Sequence, residues 1–295
     1  MAANLTVRVF RYDPQADALP RYDVYSVPRK PDMRVLDALN YIYDTCDVPL
    51  GHRWFCGIKK CGECAVSVNG KAVLACWEAA VDEMTCEPLP NFPIIRDLVV
   101  DTAPAEALII KLRPFLKREK TPTFPEKISH GKMQAAHQLS KCIECHVCTG
   151  SFPAKGLGLN GPTLYGHSGP AGLVRFARFA LDPRDETDRK SLAYDARLDE
   201  FPASEALSTV CPQGIDIVRE ALIPLRKQFF GLDALAIDDV SSTIPFIMAH
   251  GWAAFVMLTN KLKYQLLNSH TIKVMNVPGV SEAYSVSEMT HLRTA

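Results

Sequence analysis

The sequence predicts an α+β chain in which a small strand-rich domain is followed by a helical one. Three observations carry this. Residues 5–10 (LTVRVF) and 22–27 (YDVYSV) are dense in β-branched and aromatic residues and flank a turn-rich linker. From about residue 104 the apolar residues recur at helical spacing, beginning with AEALIIKLRPFL. The ten cysteines are grouped, four in each half with Cys46 and Cys86 left over. A length of 295 residues suits two domains at about 100–200 residues each. The expected boundaries are 1–104, 105–231 and a helical C-terminal extension, 232–295. With 33 acidic and 33 basic residues and no long basic run, the chain offers no electrostatic footprint for nucleic acid.

Taken in order, the first two strands lead to Asp32, a residue able to cap a helix through MRVLDALNYIYD. That helix sets Val35, Leu36, Leu39, Ile42 and Tyr43 on one stripe. Next comes HRWFCGIKKCGECAVSVNGKAVLACW, in which Cys56, Cys61 and Cys64 are spaced C-x4-C-x2-C. A loop of this spacing wraps a [2Fe–2S] cluster, with a fourth, more distant thiolate completing the set. Gly57 and Gly62 directly follow two of the cysteines, where a side chain would crowd the sulfurs or a positive φ is required. Asn69-Gly70 between AVSV and KAVLA is a hairpin signal that pairs Cys64 near Ala75 and returns Cys76 to its neighbourhood. Zinc favours two knuckles rather than three clustered cysteines and a single later one. A secreted disulfide framework would spread its cysteines in even pairs. Cys56, Cys61, Cys64 and Cys76 therefore read as binuclear cluster ligands. Strand pair, helix and cluster loop in that order describe a β-grasp ferredoxin domain, with Cys46 and Cys86 as buried structural thiols.

KREKTPTFPEK (117–127) has the proline and charge of a surface linker. After it, Cys142, Cys145 and Cys148 form C-x2-C-x2-C, but Phe152 stands where the ferredoxin run places its fourth cysteine. Three thiolates cannot close a [4Fe–4S] site, and Cys211 in STVCPQG, again followed by proline, is the candidate fourth. A second cluster would need ligands at Phe152, Phe201, Ser204 and Leu207. None is an iron ligand, and three are core fillers, so that space is expected to be packed with hydrophobic side chains.

The order of parts resembles the iron–sulfur subunit of succinate dehydrogenases and fumarate reductases. The resemblance runs over about residues 5–230 and rests on CGIKKCGECAVSVNGKAVLAC, CIECHVC, GPAGLVRFARFALDPRDE and STVCPQGID. It implies an all-α ferredoxin domain behind the β-grasp one. It implies [2Fe–2S] on Cys56, Cys61, Cys64 and Cys76, and [4Fe–4S] on Cys142, Cys145, Cys148 and Cys211. The family's [3Fe–4S] ligands would fall on Phe152, Phe201 and Leu207, so that cluster is expected to be lost. The family's tryptophan and histidine near quinone are replaced by AKGL (154–157) and Pro202.

The function expected is single-electron relay between a flavoprotein catalytic subunit and another redox partner, such as a membrane-anchor subunit. FAD and substrate belong to the partner: the chain has no Gly-rich dinucleotide motif in a strand–helix context, and KGLGLNG reads as a loop. No catalytic residue is assigned in this chain. The alternatives are a free-standing two-cluster ferredoxin-like carrier and a zinc-holding scaffold. His146, between two cysteines, is expected to point away from the cluster, and His52 and Arg53 to face a partner; His130, His137, His167 and His250 have no ligand spacing. The first residues carry no export signal, and IPFIMAHGWAAFVML (244–258) is shorter than the roughly 20 residues a bilayer needs. That stretch reads as a buried helix or a docking segment. The expected location is the cytoplasm, at the membrane's cytoplasmic face through partner subunits.

Overall fold

The computed structural model describes residues 4–46, 49–119, 122–152, 168–196, 198, 201, 203 and 206–231. The expectations for Pro202, Ser204, His167, His250, residues 154–157 and the extension from 232 lie outside them.

The N-terminal half is a mixed five-stranded sheet in the order β2-β1-β5-β3-β4 with a helix laid across it. Strands β1 (Asn4–Arg11) and β2 (Arg21–Pro28) pair antiparallel along their full length. β1 then runs parallel to β5 (Glu83–Glu87), which pairs with β3 (Ala65–Val68). β3 and β4 (Lys71–Leu74) close the Asn69-Gly70 hairpin, with φ 49° and 78° at the two turn residues. This double left-handed turn is the one that asparagine and glycine accommodate. A short second sheet of β6 (Ile94–Arg96) and β7 (Val99–Val100) follows.

Helix α1 (Val35–Thr45) buries Val35, Leu36, Ala38, Leu39 and Ile42 against Leu5, Val7, Val9 and Val27. Its start differs from the expectation. Asp32 is left-handed, at φ 54°, and the N-terminal residue is Arg34, whose amide is held by Asp37 Oδ2 at 2.8 Å. Tyr43 is 54 % exposed, so the buried stripe turns toward Ala38 instead.

The second half is helical: α2 (Ala103–Lys111), α3 (His130–Leu139), α4 (Val147–Gly150), α5 (Gly169–Ala180), α6 (Lys190–Asp195), α7 (Ala206–Thr209) and α8 (Ile223–Phe230). A π-helical turn, Ile217–Leu222, runs directly into α8. Pro224, just inside α8, has no N–H and crowds the preceding turn, which accounts for the widening there. A second core gathers Leu139, Leu173, Phe176, Ile217, Leu222 and Leu225.

Helix α4 joins the two cores. Val147 belongs to the sheet's core and Cys148 to the helical one. A Cβ on Gly150 would meet Leu89 at 2.6 Å, so only glycine allows this approach. Asn91, left-handed at φ 74°, donates its side-chain amide to the carbonyls of Thr149 and Phe152 at 2.6 and 2.7 Å. Both carbonyls lie at the C-terminal end of α4, so Asn91 adds a cap to the helix from the N-terminal half. Among the described residues, no helix is long and apolar enough to cross a membrane.

Candidate metal centres

The first centre is a loop between α1 and β3. Its entry is fixed by Asp97, whose Oδ2 accepts from Gly51 N at 2.8 Å and whose Oδ1 accepts from Tyr12 N and Arg11 Nε, each at 3.0 Å. Arg11 and Asp97 are both buried, so charge is balanced inside rather than left unpaired. Beyond Gly51 the loop turns outward through Trp54 and Phe55, and its course is set by left-handed residues Gly57 (φ 67°), Lys59 (59°) and Gly62 (78°).

These turns aim amides at sulfur. The N–H groups of Lys60 and Cys61 donate to Cys56 Sγ at 3.3 Å, and that of Ile58 at 3.4 Å. Amide donors stabilise thiolate, and they draw the Cys56 thiol down to about 7. Cys64 and Cys76 lie side by side, buried, where β3 begins and β4 has ended. Ala75 N bonds to Cys64 O at 2.9 Å, the register the hairpin predicts. Burial pushes the Cys64 thiol up to about 12. The first quartet thus sets one thiol drawn toward thiolate, Cys56, beside one that burial holds protonated, Cys64.

The second centre is formed by the residues leading into α4 and by Cys211. Cys142, Cys145 and Cys211 are half-buried and Cys148 is buried. Each of Cys142, Cys145 and Cys148 feels the Cys211 charge, which places all four sulfurs in one neighbourhood. Burial raises all three thiols, Cys145 to about 12. The N–H of Glu144 donates to the Cys142 sulfur and that of Val147 to Cys145.

All ten cysteines are free thiols. Among the described residues, no three Cys, His, Asp or Glu side chains converge tightly enough for a single metal ion. Amides directed at sulfur, as at Cys56, suit the thiolates of an iron–sulfur cluster.

The two centres meet. A Cβ on Gly62 would lie 2.7 Å from Ile143 O and 3.1 Å from both Cα and Cβ of Cys145. Gln213, two residues after Cys211, donates to Lys59 O at 2.9 Å. Sequence spacing marks Gly62 for its conformation; its second role, letting the two cysteine loops touch, is visible only in three dimensions.

Phe152, Phe201 and Leu207, at 5 %, 2 % and 2 % exposure, fill the helical core where a further cluster's ligands would stand. The Phe152 and Phe201 rings are 5.4 Å apart. His146 is engaged by Glu106 (Nε2 to Oε1, 2.8 Å) and lies edge-on to Phe92. His52 lines a cavity beside the binuclear loop. It is half-buried, bonded to Asn40 Oδ1 at 2.8 Å and to Leu50 O, and burial lowers its pKa; Arg53 is exposed. Cys86 is fully buried, with its thiol pushed up to about 12, whereas Cys46 is only half-buried.

This contrast makes a test. In metal-free protein at pH 7, Cys56 is about half thiolate and is expected to react first with iodoacetamide. Its rate should fall as the pH drops below 7, while Cys86 stays unmodified. Peptide mass spectrometry reads both; equal labelling of the two would contradict the geometry.

Residues 6–107 match the family described as a 2Fe-2S iron-sulfur cluster binding domain. The chain is 33 % identical over 227 residues to a fumarate reductase iron–sulfur subunit of Mycobacterium tuberculosis, covering 73 % of this chain and 89 % of that one. It is 32 % identical over 222 residues to a subunit of the fumarate reductase (CoM/CoB) of Methanothermobacter marburgensis, covering 75 % of this chain and 44 % of the archaeal protein. It therefore spans less than half of that longer relative. Among solved structures, a chain of the Mycobacterium smegmatis Sdh1 complex in the apo form superposes with a TM-score of 0.69 at 25 % identity. That match covers 78 % of this chain and 97 % of the other.

Proposed function

This chain belongs to the iron–sulfur subunits of the fumarate reductase and succinate dehydrogenase family, and from that premise we propose that it is a two-cluster wire. Cys56, Cys61, Cys64 and Cys76 hold [2Fe–2S], and Cys142, Cys145, Cys148 and Cys211 hold [4Fe–4S]. FAD and the organic substrate sit in a partner flavoprotein subunit. Electrons arrive or leave singly at the binuclear end, and the tetranuclear end hands them to another redox partner, a membrane-anchor or other subunit, with the chain at the cytoplasmic face of the membrane. When bound, the clusters supply one-electron steps over potentials of roughly −700 to +450 mV; this chain's residues bind them, shield them and set their separation.

The observation that carries this reading is the contact of the two cysteine loops at Gly62 and Cys145. Loops packed against each other keep two clusters close, which a relay needs and a scaffold does not. The third position is packed with Phe152, Phe201 and Leu207, so the wire ends at the tetranuclear site.

A complex is favoured over the free carrier by the surface of the binuclear loop. Trp54, Phe55, Ile58 and Trp77 are 50, 79, 64 and 52 % exposed, a concentration of large apolar side chains around Cys56. Beside them is a cavity of about 400 Å³ lined by Tyr43, Leu50, His52, Arg53, Trp54 and Glu63. Apolar surface of this kind marks an interface. Anaerobic purification of the tagged chain from its own host tests the choice. The expected product is brown and holds stoichiometric flavoprotein with flavin absorbance; a brown, flavin-free single chain would establish the carrier instead.

A further inference from the structure

We propose that Arg175 is a positioning residue for the tetranuclear centre, clamping its cysteine run through Glu144 and Glu106 and setting the charge near the Cys142 sulfur. The inference rests on the [4Fe–4S] reading of Cys142, Cys145, Cys148 and Cys211.

The run has a demanding backbone. Glu144 and His146, on either side of Cys145, are both left-handed at φ 58°, a region that residues with side chains enter sparingly. Such conformations persist where the surroundings over-determine them. Here both side chains are tied into one network. Arg175 Nη1, from α5, donates to Glu106 Oε2 and forms an ion pair with Glu144 Oε2, each at 3.0 Å. Glu106, from α2, accepts from His146 Nε2 through its other oxygen at 2.8 Å. One guanidinium, 20 % exposed, thereby cross-links α2, the cysteine run and α5. The turn so held is the one that aims the Glu144 and Val147 amides at the Cys142 and Cys145 sulfurs.

Charge gives the clamp a second effect. Arg175 places a positive charge and Glu144 a negative one beside the cysteine run, 3.0 Å from each other. Reduction adds one electron to the centre, from the binuclear side in the complex or from dithionite in a titration, and no bond is made or broken. A fixed cation near the sulfurs favours that extra negative charge, and an anion disfavours it. Without Arg175, Glu144 would lose its ion-pair partner beside the cysteine run, and Glu106 would keep only His146.

The test is an EPR-monitored redox titration of the full chain, purified anaerobically, as wild type, R175Q, R175K and E144Q. In R175Q the tetranuclear signal is expected to titrate lower, by enough to change its reduced-to-oxidised ratio about tenfold at fixed poise, or 59 mV for a one-electron couple. R175K should recover most of the shift. E144Q should move the potential upward, and the binuclear signal should titrate unchanged in all of them. Retained clusters with wild-type potentials in R175Q and E144Q would overturn the proposal. If R175Q sheds the cluster, E144Q decides: an upward shift supports the proposal and an unmoved potential overturns it. A wild type with no tetranuclear signal would instead overturn the cluster reading, which separates the two failures.

Discussion

Replacement of Cys211 by alanine is expected to abolish the reduced-state signal of the tetranuclear cluster and leave the binuclear signal intact. Three thiolates on the run from Cys142 to Cys148 cannot satisfy four iron corners, and Cys211 is the thiol the fold brings to them from a distant segment. Its placement is specific. The turn after it closes through Gly214 N to Cys211 O at 3.0 Å, and Gln213 fastens that turn to the binuclear loop through Lys59 O. Iron should drop below the about six per chain that two such clusters require. Cys86→Ala is the control: Cys86 is more deeply buried than Cys211 but sits in β5, within the sheet core. That substitution is expected to keep both signals. Both signals surviving in the Cys211 variant would contradict the ligand set.

The second large effect is expected at the packed third position. Phe201 is 2 % exposed, with its ring 5.4 Å from that of Phe152, in a core shared with Leu207. Truncation to alanine removes the transfer energy of a whole ring and leaves a cavity that rigid neighbours fill only in part. The cost is about 3–5 kcal/mol, which for a body of this size is a fall in Tm of about 10 °C. Both clusters should still assemble, because Phe201 supplies no thiolate to either quartet, although Cys148 shares its core. A Phe201→Ala chain that melts with the wild type would mean that this region is not a close-packed core.

Much of this was legible in the sequence because it is local. The C-x4-C-x2-C spacing, the two glycines and Asn69-Gly70 fix a loop and a hairpin within a few residues, and both appear in the structure with the expected register. Phe152, Phe201 and Leu207 could be recognised as fill because a ferredoxin run has fixed intervals. Where tertiary contacts compete with local preference, the reading slipped. Asp32 is a good cap by type, yet Arg34 begins the helix, since Val35 N is already taken by Glu78 O at 3.0 Å. The Arg175 network was out of reach, because it joins residues 69 positions apart and ion pairs on facing helices leave no periodic signal. The same holds for Asn91, whose two carbonyl partners lie in the other half of the chain.

The proposed wire has two clusters and ends at Cys142, Cys145, Cys148 and Cys211. The most direct test is iron per chain on anaerobically purified protein, with EPR of the oxidised and the dithionite-reduced forms. About six irons, two reduced-state signals and no [3Fe–4S] signal when oxidised is the expected result. An oxidised [3Fe–4S] signal in undamaged protein, with iron near about nine per chain, would contradict it.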